Sequence, residues 1–392
     1  MLENLAEKPI VSVIIPTHNR AEALQQALDS VYGQEGIGDH FGIEVLVVDD
    51  ASSDSTSEVA ARYPDIRYFK LSDNVGAAAA RNLGIRASSG KYIAFLDDDD
   101  QWLPHRLLIQ VPVLEANAQV GVVYGQGYIS GDGFSDVLWP DARWGLSGRV
   151  FDAFLTQETE DIFNIDTVLI RRQAFDQAGY FDEGLKTMEH HDLMLRLAFY
   201  FPFEFIPGPV SRGRASNSGL FVTSIAAGSY EQSYLRVIEK AIAMLPDREE
   251  YVELRRKART NAFSVISRVH WNYGFTARVP SFILKTLQEH PWMIEEPAML
   301  SNLYRVAKVL ATDGTSPRAA ILGFLADLKS AVGGAGLKVN LGMNRLRAGL
   351  MAEGALALIR KGRITSSGTL LLDSVLHDFS QLGFRVIKYL RA

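Results

Sequence analysis

Residues 91–100 read KYIAFLDDDD, and this stretch decides the class of fold. The apolar run Tyr92–Leu96 predicts a buried strand, because its length suits a strand and four aspartates end it abruptly. Two earlier runs have the same form. Val11–Ile15 leads through Pro16 into polar residues 17–20, and Glu44–Val48 leads into Asp49 and Asp50. The chain is therefore predicted to contain apolar strands that share polar carboxyl ends.

Helical segments separate these strands. Apolar residues recur at helical spacing in residues 21–32, 56–62 and 77–87, and another strand-like run covers residues 66–71. This alternation predicts an α/β fold, with a Rossmann-like, mixed but largely parallel sheet and helices on both faces. Ligands of such sheets bind at the carboxyl ends of the strands. We therefore expect the polar strand ends to meet in one site.

The second half of the chain changes character. Strand-like runs at 120–128, 167–170 and 203–206 extend the sheet, whereas residues beyond Ser224 contain long helical segments such as 230–244 and 248–273. We predict an α/β catalytic domain over residues 1–222 and a helical C-terminal domain over residues 223–392. The glycine-rich stretch 333–336 is predicted to be a hinge within the second domain.

Composition excludes several classes of protein. The chain has 392 residues, 47% apolar and 22% charged, which is unlike disordered or fibrous proteins. The absence of cysteine excludes thiol catalysis and cysteine-based zinc sites, and it favours a cytoplasmic location. Residues 1–10 carry Glu3 and Glu7 and lack the apolar run of a secretory leader. No apolar run approaches the ~20 residues that span a bilayer.

Charge is distributed unevenly. Residues 337–392 hold nine basic and three acidic side chains, a net +6, which leaves −12 for the rest of a chain whose net charge is −6. The acidic balance of the first domain disfavours a nucleic-acid partner. The basic tail has two interpretations: helices that contact the inner face of an anionic membrane, or a solvated basic face that meets the acidic domain.

The aspartates 97–100 also have two interpretations. Hard divalent cations use carboxylates together with substrate phosphates, whereas carboxylates before a helix near Pro104 could simply cap it. The neighbouring polar strand ends favour the cation. Asp50 suits either a base or ribose contact or an Asx turn, and Arg81 suits either a phosphate contact or a salt bridge. A nicotinamide-dependent oxidoreductase is disfavoured, because the first strand ends in PTHNR without a G-x-G-x-x-G motif.

Four segments together resemble the family 2 glycosyltransferases of the GT-A fold: VSVIIPTHNR, IEVLVVDDASSDST, DNVGAAAARNLGI and KYIAFLDDDDQWLP. The resemblance covers residues 11–214. It implies an inverting, hexosyltransferase-like enzyme that uses Mn²⁺ or Mg²⁺. The donor would be a UDP-, GDP- or dTDP-sugar, and the acceptor a hydroxyl of a glycan, a lipid-linked molecule or a polysaccharide precursor.

The resemblance also implies roles for particular residues. Asp99 would be the metal ligand, and Arg212 and Arg214 would belong to a polar loop, residues 212–218, that closes over the diphosphate. The remaining nucleotide-sugar residues would be Pro16, Thr17, Arg20, Asp50, Arg81, Asp97 and Asp98.

The catalytic base is less clearly implied. The family commonly has Glu-Asp, then x-Asp-Leu, and the aspartate of the first pair is the base. This chain reads Glu189-His190-His191-Asp192-Leu193, which puts His190 in that position. Three alternatives follow: His190 is the base, since imidazole titrates near pH ~6.5; Glu189 or Asp192 is the base and a histidine orients it; or the chain binds donor with little or no transfer.

Overall fold

The fold is described by a computed structural model. It describes residues 8–131, 134–142, 145–156, 164–214, 219–289 and 317–331, together with Leu303, Val306, Ala307 and Leu310. The predicted hinge at 333–336 and the basic tail at 337–392 lie outside the described residues.

The first part of the chain alternates strands and helices as predicted. Its elements are β1 (Ile10–Thr17), α1 (Ala21–Tyr32), β2 (Gly42–Asp49), α2 (Thr56–Ala60), β3 (Ile66–Lys70), α3 (Ala77–Ala87), β4 (Tyr92–Phe95), β5 (Gln101–Trp102) and α4 (Arg106–Ala116). The helices α1 and α3 have the bounds that apolar spacing predicted.

The elements that follow complete the sheet and cover it. They are β6 (Val122–Gly131), β7 (Phe134–Trp139), α5 (Phe151–Leu155), β8 (Leu169–Arg171), α6 (Phe175–Ala178), α7 (Glu189–Tyr200), β9 (Phe203–Arg214), α8 (Leu220–Ala227) and α9 (Ser229–Met244). Short 3₁₀ helices precede β8 and α6, at Ile165–Thr167 and Arg172–Ala174.

The strands form one mixed sheet in the order β3-β2-β1-β4-β8-β6-β9-β5, and β7 pairs with β6. The pairs β1/β2, β2/β3 and β1/β4 are parallel, so the carboxyl ends of β1, β2 and β4 share one edge. Strand β8 is antiparallel to both β4 and β6, and it divides the parallel half from the rest. The predicted α/β fold, mixed and largely parallel at its N-terminal half, is confirmed.

Apolar strands hold this arrangement together. Val13, Ile15, Val47 and Ala94 are buried, because helices cover both faces of the sheet and burial of such side chains stabilises the fold. Gly84 lets α3 approach β1 closely, since a Cβ at this position would clash with the side chain of Ile14. This close packing brings α3, and Arg81 within it, to the edge where the strands end.

Strand β9 corrects a prediction. Residues 212–218 were expected to form a polar loop, but Arg212 and Arg214 belong to β9, which runs from Phe203 through Arg214. β9 pairs with β6 as far as the Ser130–Arg214 register and with β5 at Gln101–Arg212. The last residues of β9 are polar and include glycine, so their composition predicted a loop. They form a strand because they pair with both β6 and β5. Residues 215–218 lie outside the described part of the chain.

The chain divides into two compact units, Met1–Leu254 and Arg255–Ala392. The first unit includes α8 and α9, and α9 packs against α7. The compact unit therefore extends beyond residue 222, where composition changes, because α9 packs against α7 and α8 packs against α9. The predicted division at 222 stays a prediction about domain organisation.

The second unit is helical in its described residues, as predicted. α10 (Val252–Asn272) starts just before it, and α11 (Val279–Glu289) and α12 (Pro317–Ala331) follow. α11 and α12 contact each other, and Ile283, Leu287, Ile321 and Leu328 are buried. Across the described ranges, no helix is both long enough and apolar enough to span a bilayer.

Candidate active site

The end of β1 contacts the acidic segment that follows β4. Thr17 Oγ1 donates a hydrogen bond to Asp98 Oδ2 at 2.7 Å. Arg20 Nη1 lies 2.8 Å from Asp98 Oδ1 and 2.7 Å from Asp99 Oδ2. Because β1 and β4 are neighbouring parallel strands, these residues meet although about eighty positions separate them in the sequence. Pro16 is buried inside β1, in register with Val48.

Crowded carboxylates make the acidic segment a place where a cation would be stabilised. Burial raises the pKa of Asp98, although Arg20 and the Thr17 hydroxyl oppose that shift. Burial likewise raises the pKa of Asp99, where Arg20 opposes the shift and the charge of Asp97 adds to it. The side chain of Asp99 is still 33% exposed. A further positive charge near these oxygens would favour their ionised form.

Asp50 organises the segment before α3. Its Oδ1 accepts the backbone N–H of Val75 at 2.7 Å, and its Oδ2 accepts that of Gly76 at 2.8 Å. Gly76 has φ 89°, a conformation that glycine adopts at little cost and that starts α3 at this point. Asp50 therefore anchors a loop at the strand edge as well as lying beside the expected nucleotide site.

Backbone strain is concentrated at this edge. Among the described residues, those other than glycine with positive φ are Asn19 (52°), Ala51 (61°) and Met188 (67°). Asn19 follows β1 and Ala51 follows β2, and they are tied together because Asn19 N donates to Ser52 Oγ at 2.8 Å. Met188 directly precedes α7. Such strained residues often cluster at functional sites, where the surrounding structure over-determines the backbone.

Arg81 joins the acidic segment to α7. Its Nη2 lies 2.6 Å from Asp97 Oδ1 and its Nη1 lies 2.9 Å from Glu189 Oε1, and its side chain is almost completely buried. Burial alone would raise the pKa of Glu189, but the hydrogen bond and charge of His190 and the charge of Arg81 lower it to about 2. Glu189 is therefore a carboxylate at neutral pH.

The four polar residues that begin α7 divide into two pairs. Glu189 contacts Arg81, and His190 Nδ1 lies 3.8 Å from Glu189 Oε1 with its side chain 24% exposed. His191 is buried and its ring stacks on Tyr234 in α9, with centroids 5.7 Å apart. Asp192 is buried between two cations, Arg196 at 2.7 Å and Lys240 at 2.6 Å. The structure thus places Glu189 and His190 beside Arg81 and the acidic segment, and it directs His191 and Asp192 towards α9.

Strand β9 carries the two predicted arginines to the other side of the acidic segment. Arg212 Nη1 lies 2.7 Å from Asp136 Oδ2, and its guanidinium lies 5.1 Å from the centre of the Tyr128 ring. The backbone N–H of Arg214 donates to Asp100 Oδ1 at 2.8 Å. Burial raises the pKa of Asp99, and the charge of Arg214, like that of Arg20, opposes this rise. The β5/β9 pairing explains this proximity, since β5 starts directly after Asp100.

Asp166 is a site residue that the sequence did not suggest. It precedes β8, and its Oδ1 accepts the backbone N–H of Asp97 at 2.6 Å. Burial, then the charge of Asp97, raises the pKa of Asp166 to about 6. The pKa of the neighbouring Asp100 is also raised, first by burial and then by the charge of Asp166. The available signal in the sequence was that Asp166 stands just before an apolar strand. The sequence did not predict that this strand, β8, pairs antiparallel with β4, which is what brings Asp166 to Asp97.

Arg106 lies near this carboxyl pair inside the protein. It donates to the carbonyl of Val168 at 2.7 Å, and its guanidinium lies 3.7 Å from the centre of the Trp102 ring. Burial lowers its pKa to about 9, while Asp166 opposes that shift. Asp166 therefore holds the acidic segment through the backbone N–H of Asp97, and the charge of Arg106 partly opposes the rise in the pKa of Asp166.

The residues present fit a divalent cation that takes part of its coordination from a ligand. Within the described ranges, no group of three or more His, Asp or Glu side chains is arranged to hold a metal alone. Asp97–Asp99 nevertheless offer carboxylate oxygens as hard donors, and Mg²⁺ and Mn²⁺ commonly combine one or two carboxylates with phosphate oxygens.

The sequence of this chain is similar to those of known glycosyltransferases. The sequence profile described as glycosyl transferase family 2 matches residues 12–179. An uncharacterized glycosyltransferase of Rickettsia prowazekii is 31% identical over 220 residues, which is 54% of this chain and 67% of the relative. The succinoglycan biosynthesis protein ExoO of Rhizobium meliloti is 32% identical over 196 residues, which is 47% of this chain and 55% of that protein.

Solved structures are similar in fold. The crystal structure of residues 1–349 of S. aureus TarS in complex with UDP-GlcNAc has a TM-score of 0.51 and 18% identity, covering 92% of this chain and 90% of that fragment. The mannosyltransferase PcManGT of Pyrobaculum calidifontis, in complex with GDP-Man and Mn²⁺, has a TM-score of 0.51 and 20% identity, covering 90% of this chain and 88% of PcManGT.

The fold is of the GT-A type, as in these two solved structures. The chain belongs to glycosyl transferase family 2 and is a glycosyltransferase, as the four sequence segments predicted.

Proposed function

We propose that this glycosyltransferase inverts the anomeric centre of a nucleotide-sugar by direct attack of an acceptor hydroxyl, with a divalent cation bound. The observation that carries the proposal is Arg81, which joins Asp97 in the acidic segment to Glu189 at the start of α7. Arg81 would thereby hold Asp97, which we assign to the nucleotide-sugar, and Glu189, which precedes the proposed base His190, at one sheet edge. Positioning of this kind lowers the barrier to a two-substrate reaction.

The donor would lie along the ends of β1, β2 and β4. Pro16, Thr17 and Asp50 would surround the base, with Arg81, Asp97 and Asp98 near the nucleotide. Arg20, Arg212 and Arg214 would face the diphosphate, since guanidinium groups suit phosphate oxygens. A UDP-, GDP- or dTDP-sugar fits this arrangement. UDP-GlcNAc and GDP-Man are the donors bound by the two structural neighbours.

Asp99 would hold Mn²⁺ or Mg²⁺ together with diphosphate oxygens. The bound cation would stabilise the negative charge that develops on the leaving diphosphate. Arg20 contacts both Asp98 and Asp99, so it would keep the two carboxylates in place before donor arrives.

His190 is the base that the contacts favour. Asp192 is buried between Arg196 and Lys240, so it is poorly placed to take a proton from an acceptor. Glu189 has a pKa of about 2 and is bound by Arg81, which makes it a weak base. His190 lies beside the Glu189 carboxylate and is partly exposed, so Glu189 would orient the ring and stabilise the imidazolium that forms.

In this reaction the acceptor oxygen bonds to the anomeric carbon, and the bond from that carbon to the diphosphate oxygen breaks. The acceptor proton passes to His190. A polysaccharide precursor is the acceptor class we favour, because a relative is described as a succinoglycan biosynthesis protein. A lipid-linked acceptor would agree with a cytoplasmic enzyme whose basic tail, residues 337–392, contacts the inner face of a membrane.

The alternative is a nucleotide-sugar-binding module with little or no transfer. It is favoured by one departure from the family pattern, namely His190 at the position of the usual aspartate.

One experiment separates the two. The purified chain is incubated with UDP-, GDP- and dTDP-sugars, a panel of glycan acceptors and Mn²⁺ or EDTA. Released nucleoside diphosphate is measured for wild type, Asp99→Asn, His190→Ala and His190→Asp. We expect EDTA and Asp99→Asn to abolish release and His190→Ala to lower it by about 10²–10⁴-fold. His190→Asp should retain activity and move the acid limb of the pH profile to lower pH, because a carboxyl loses its proton at lower pH than an imidazole.

Donor binding by thermal shift is the control. Binding without release across the donor panel and a panel of glycan acceptors would favour the module. If His190→Ala kept activity within a few-fold of wild type, the base would have to be another group.

A further inference from the structure

Helix α9 contacts α7 at the two residues that directly follow His190. The ring of His191 stacks on Tyr234 with an angle of 27° between the planes, and Asp192 Oδ1 lies 2.6 Å from Lys240 Nζ. These two contacts to α9 fix the position of the first turn of α7 along its axis and its rotation about that axis, because the residues of one α-helical turn move together.

Lys240 connects more than two elements. Its Nζ also lies 2.8 Å from Asp182 Oδ2, in the segment between α6 and α7. Arg236, one helical turn earlier, lies 3.0 Å from the same Asp182 oxygen, and within the described part of the chain it forms no ion pair with α7. Lys240 therefore ties the start of α7 to the segment that leads into it.

Local interactions at the helix start are weak by comparison. Met188 precedes α7 in a left-handed conformation, with φ 67°, and its side chain makes no capping hydrogen bond. The usual Ser, Thr, Asp or Asn cap that would fix the start of a helix is absent from this position. Tertiary contacts must therefore fix the start of α7.

We propose that Lys240 is a positioning residue for the transfer reaction: its ion pair with Asp192 holds the first turn of α7 so that His190 meets the acceptor hydroxyl. This inference rests on the proposed role of His190. Lys240 lies beyond residue 179, where the match to the family profile ends. The helix that follows the sheet thus becomes part of the catalytic apparatus of this chain.

Lys240→Met tests the proposal and leaves Asp192 paired with Arg196, so the protein is expected to fold. Lys240→Arg retains the charge, and Arg236→Met is the matched control on the same helix. The measurements are kcat, the KM values for donor and acceptor, donor affinity by calorimetry, and amide hydrogen exchange over residues 188–196.

We expect Lys240→Met to lower kcat by about tenfold to a hundredfold, because small misplacements of a reacting group have effects of this size. Donor affinity should stay within twofold of wild type, since the donor residues lie on other elements. Exchange over 188–196 should rise. Lys240→Arg should recover most of kcat, and Arg236→Met should behave as wild type.

Two results would overturn the inference: unchanged exchange over 188–196 in Lys240→Met, or faster exchange with unchanged kcat. A fall in kcat that Lys240→Arg does not reduce, or that Arg236→Met matches, would also overturn it. If wild type transfers no sugar, the proposed function fails, and the exchange measurement alone still decides whether Lys240 positions α7.

Discussion

Replacing Arg81 by methionine breaks two ion pairs of a buried guanidinium. The side chain of Arg81 is 4% exposed, and it lies 2.6 Å from Asp97 Oδ1 and 2.9 Å from Glu189 Oε1. Methionine keeps the apolar stem and removes the charge and all hydrogen-bond donors. Two carboxylates then lose their partner, in environments that differ in exposure.

The difference in exposure between Asp97 and Glu189 determines how much stability Arg81→Met loses. Asp97 is 36% exposed at its side chain and can be rehydrated, so the loss of its pair contributes only ~0–1 kcal/mol. Glu189 is 14% exposed, and removing one partner of a buried pair costs roughly 3–5 kcal/mol. His190 remains beside Glu189, so we expect the low end, about 3 kcal/mol. For a unit of this size that lowers Tm by roughly 6–12 °C.

Urea and thermal unfolding of Arg81→Met at pH 7 measure this loss, and Arg81→Met/Glu189→Gln is the matched control. The double variant carries no unpaired carboxylate at position 189, so it should be at least ~1 kcal/mol more stable than Arg81→Met. A loss below ~1 kcal/mol in Arg81→Met, or equal stability of the single and double variants, would refute the reasoning.

The pH dependence gives a second check on the same pair. The pKa of Glu189 in the folded protein is about 2, below the ~4.3 of an unfolded glutamate. A lowered pKa contributes stability that is fully present above pH ~4.3 and is lost as the pH falls towards 2. Arg81 supplies part of this shift, so the difference in stability between wild type and Arg81→Met should shrink as the pH falls from 7 to about 3. A constant difference would contradict the role of the ion pair.

Two further predictions concern the strand edge. The pKa of Asp166 is raised to about 6, against ~3.9 when unfolded, so its stabilising contribution is present below pH ~4 and is lost as the pH rises to about 6. Urea unfolding at several pH values should show that Asp166→Asn loses part of this slope, the rest coming from Asp100, and an unchanged slope would contradict it. Ala51 has φ 61°, a conformation that costs alanine roughly 1–2 kcal/mol and costs glycine little. Glycine loses more backbone entropy on folding, by roughly 0.5–1 kcal/mol. Ala51→Gly should therefore raise the free energy of unfolding by the difference, ~0.5–1 kcal/mol. A destabilised Ala51→Gly variant would show that the Ala51 side chain stabilises the site.

Much of the fold could be predicted from the sequence where local periodicity carries the information. Residues 21–32 and 77–87 have the predicted helical bounds, and β1, β2 and β4 start and end within two residues of the predicted runs. β9 was predicted only as far as residue 206, because its second half has the composition of a loop and is a strand through its pairing with β6 and β5.

The sequence predicted some residues of the site and missed others. Thr17, Asp50 and Asp97–Asp99 could be assigned to one edge because parallel neighbours bring their carboxyl ends together. Asp166 was missed because it reaches Asp97 through antiparallel β8, and Lys240 was missed because it lies in a helix that composition assigned to another domain.

The sequence by itself determined the family, the alternation of strands and helices, and the acidic strand ends, because each depends on residues that are close together in the chain. Only the tertiary structure decided how the residues of the Glu189–Asp192 cluster differ. Arg81 binds Glu189, Arg196 and Lys240 bind Asp192, and His190 remains partly exposed between them. The proton affinity and accessibility of a side chain depend on partners that folding brings from distant parts of the chain, so neighbouring residues with similar chemistry acquire different functions.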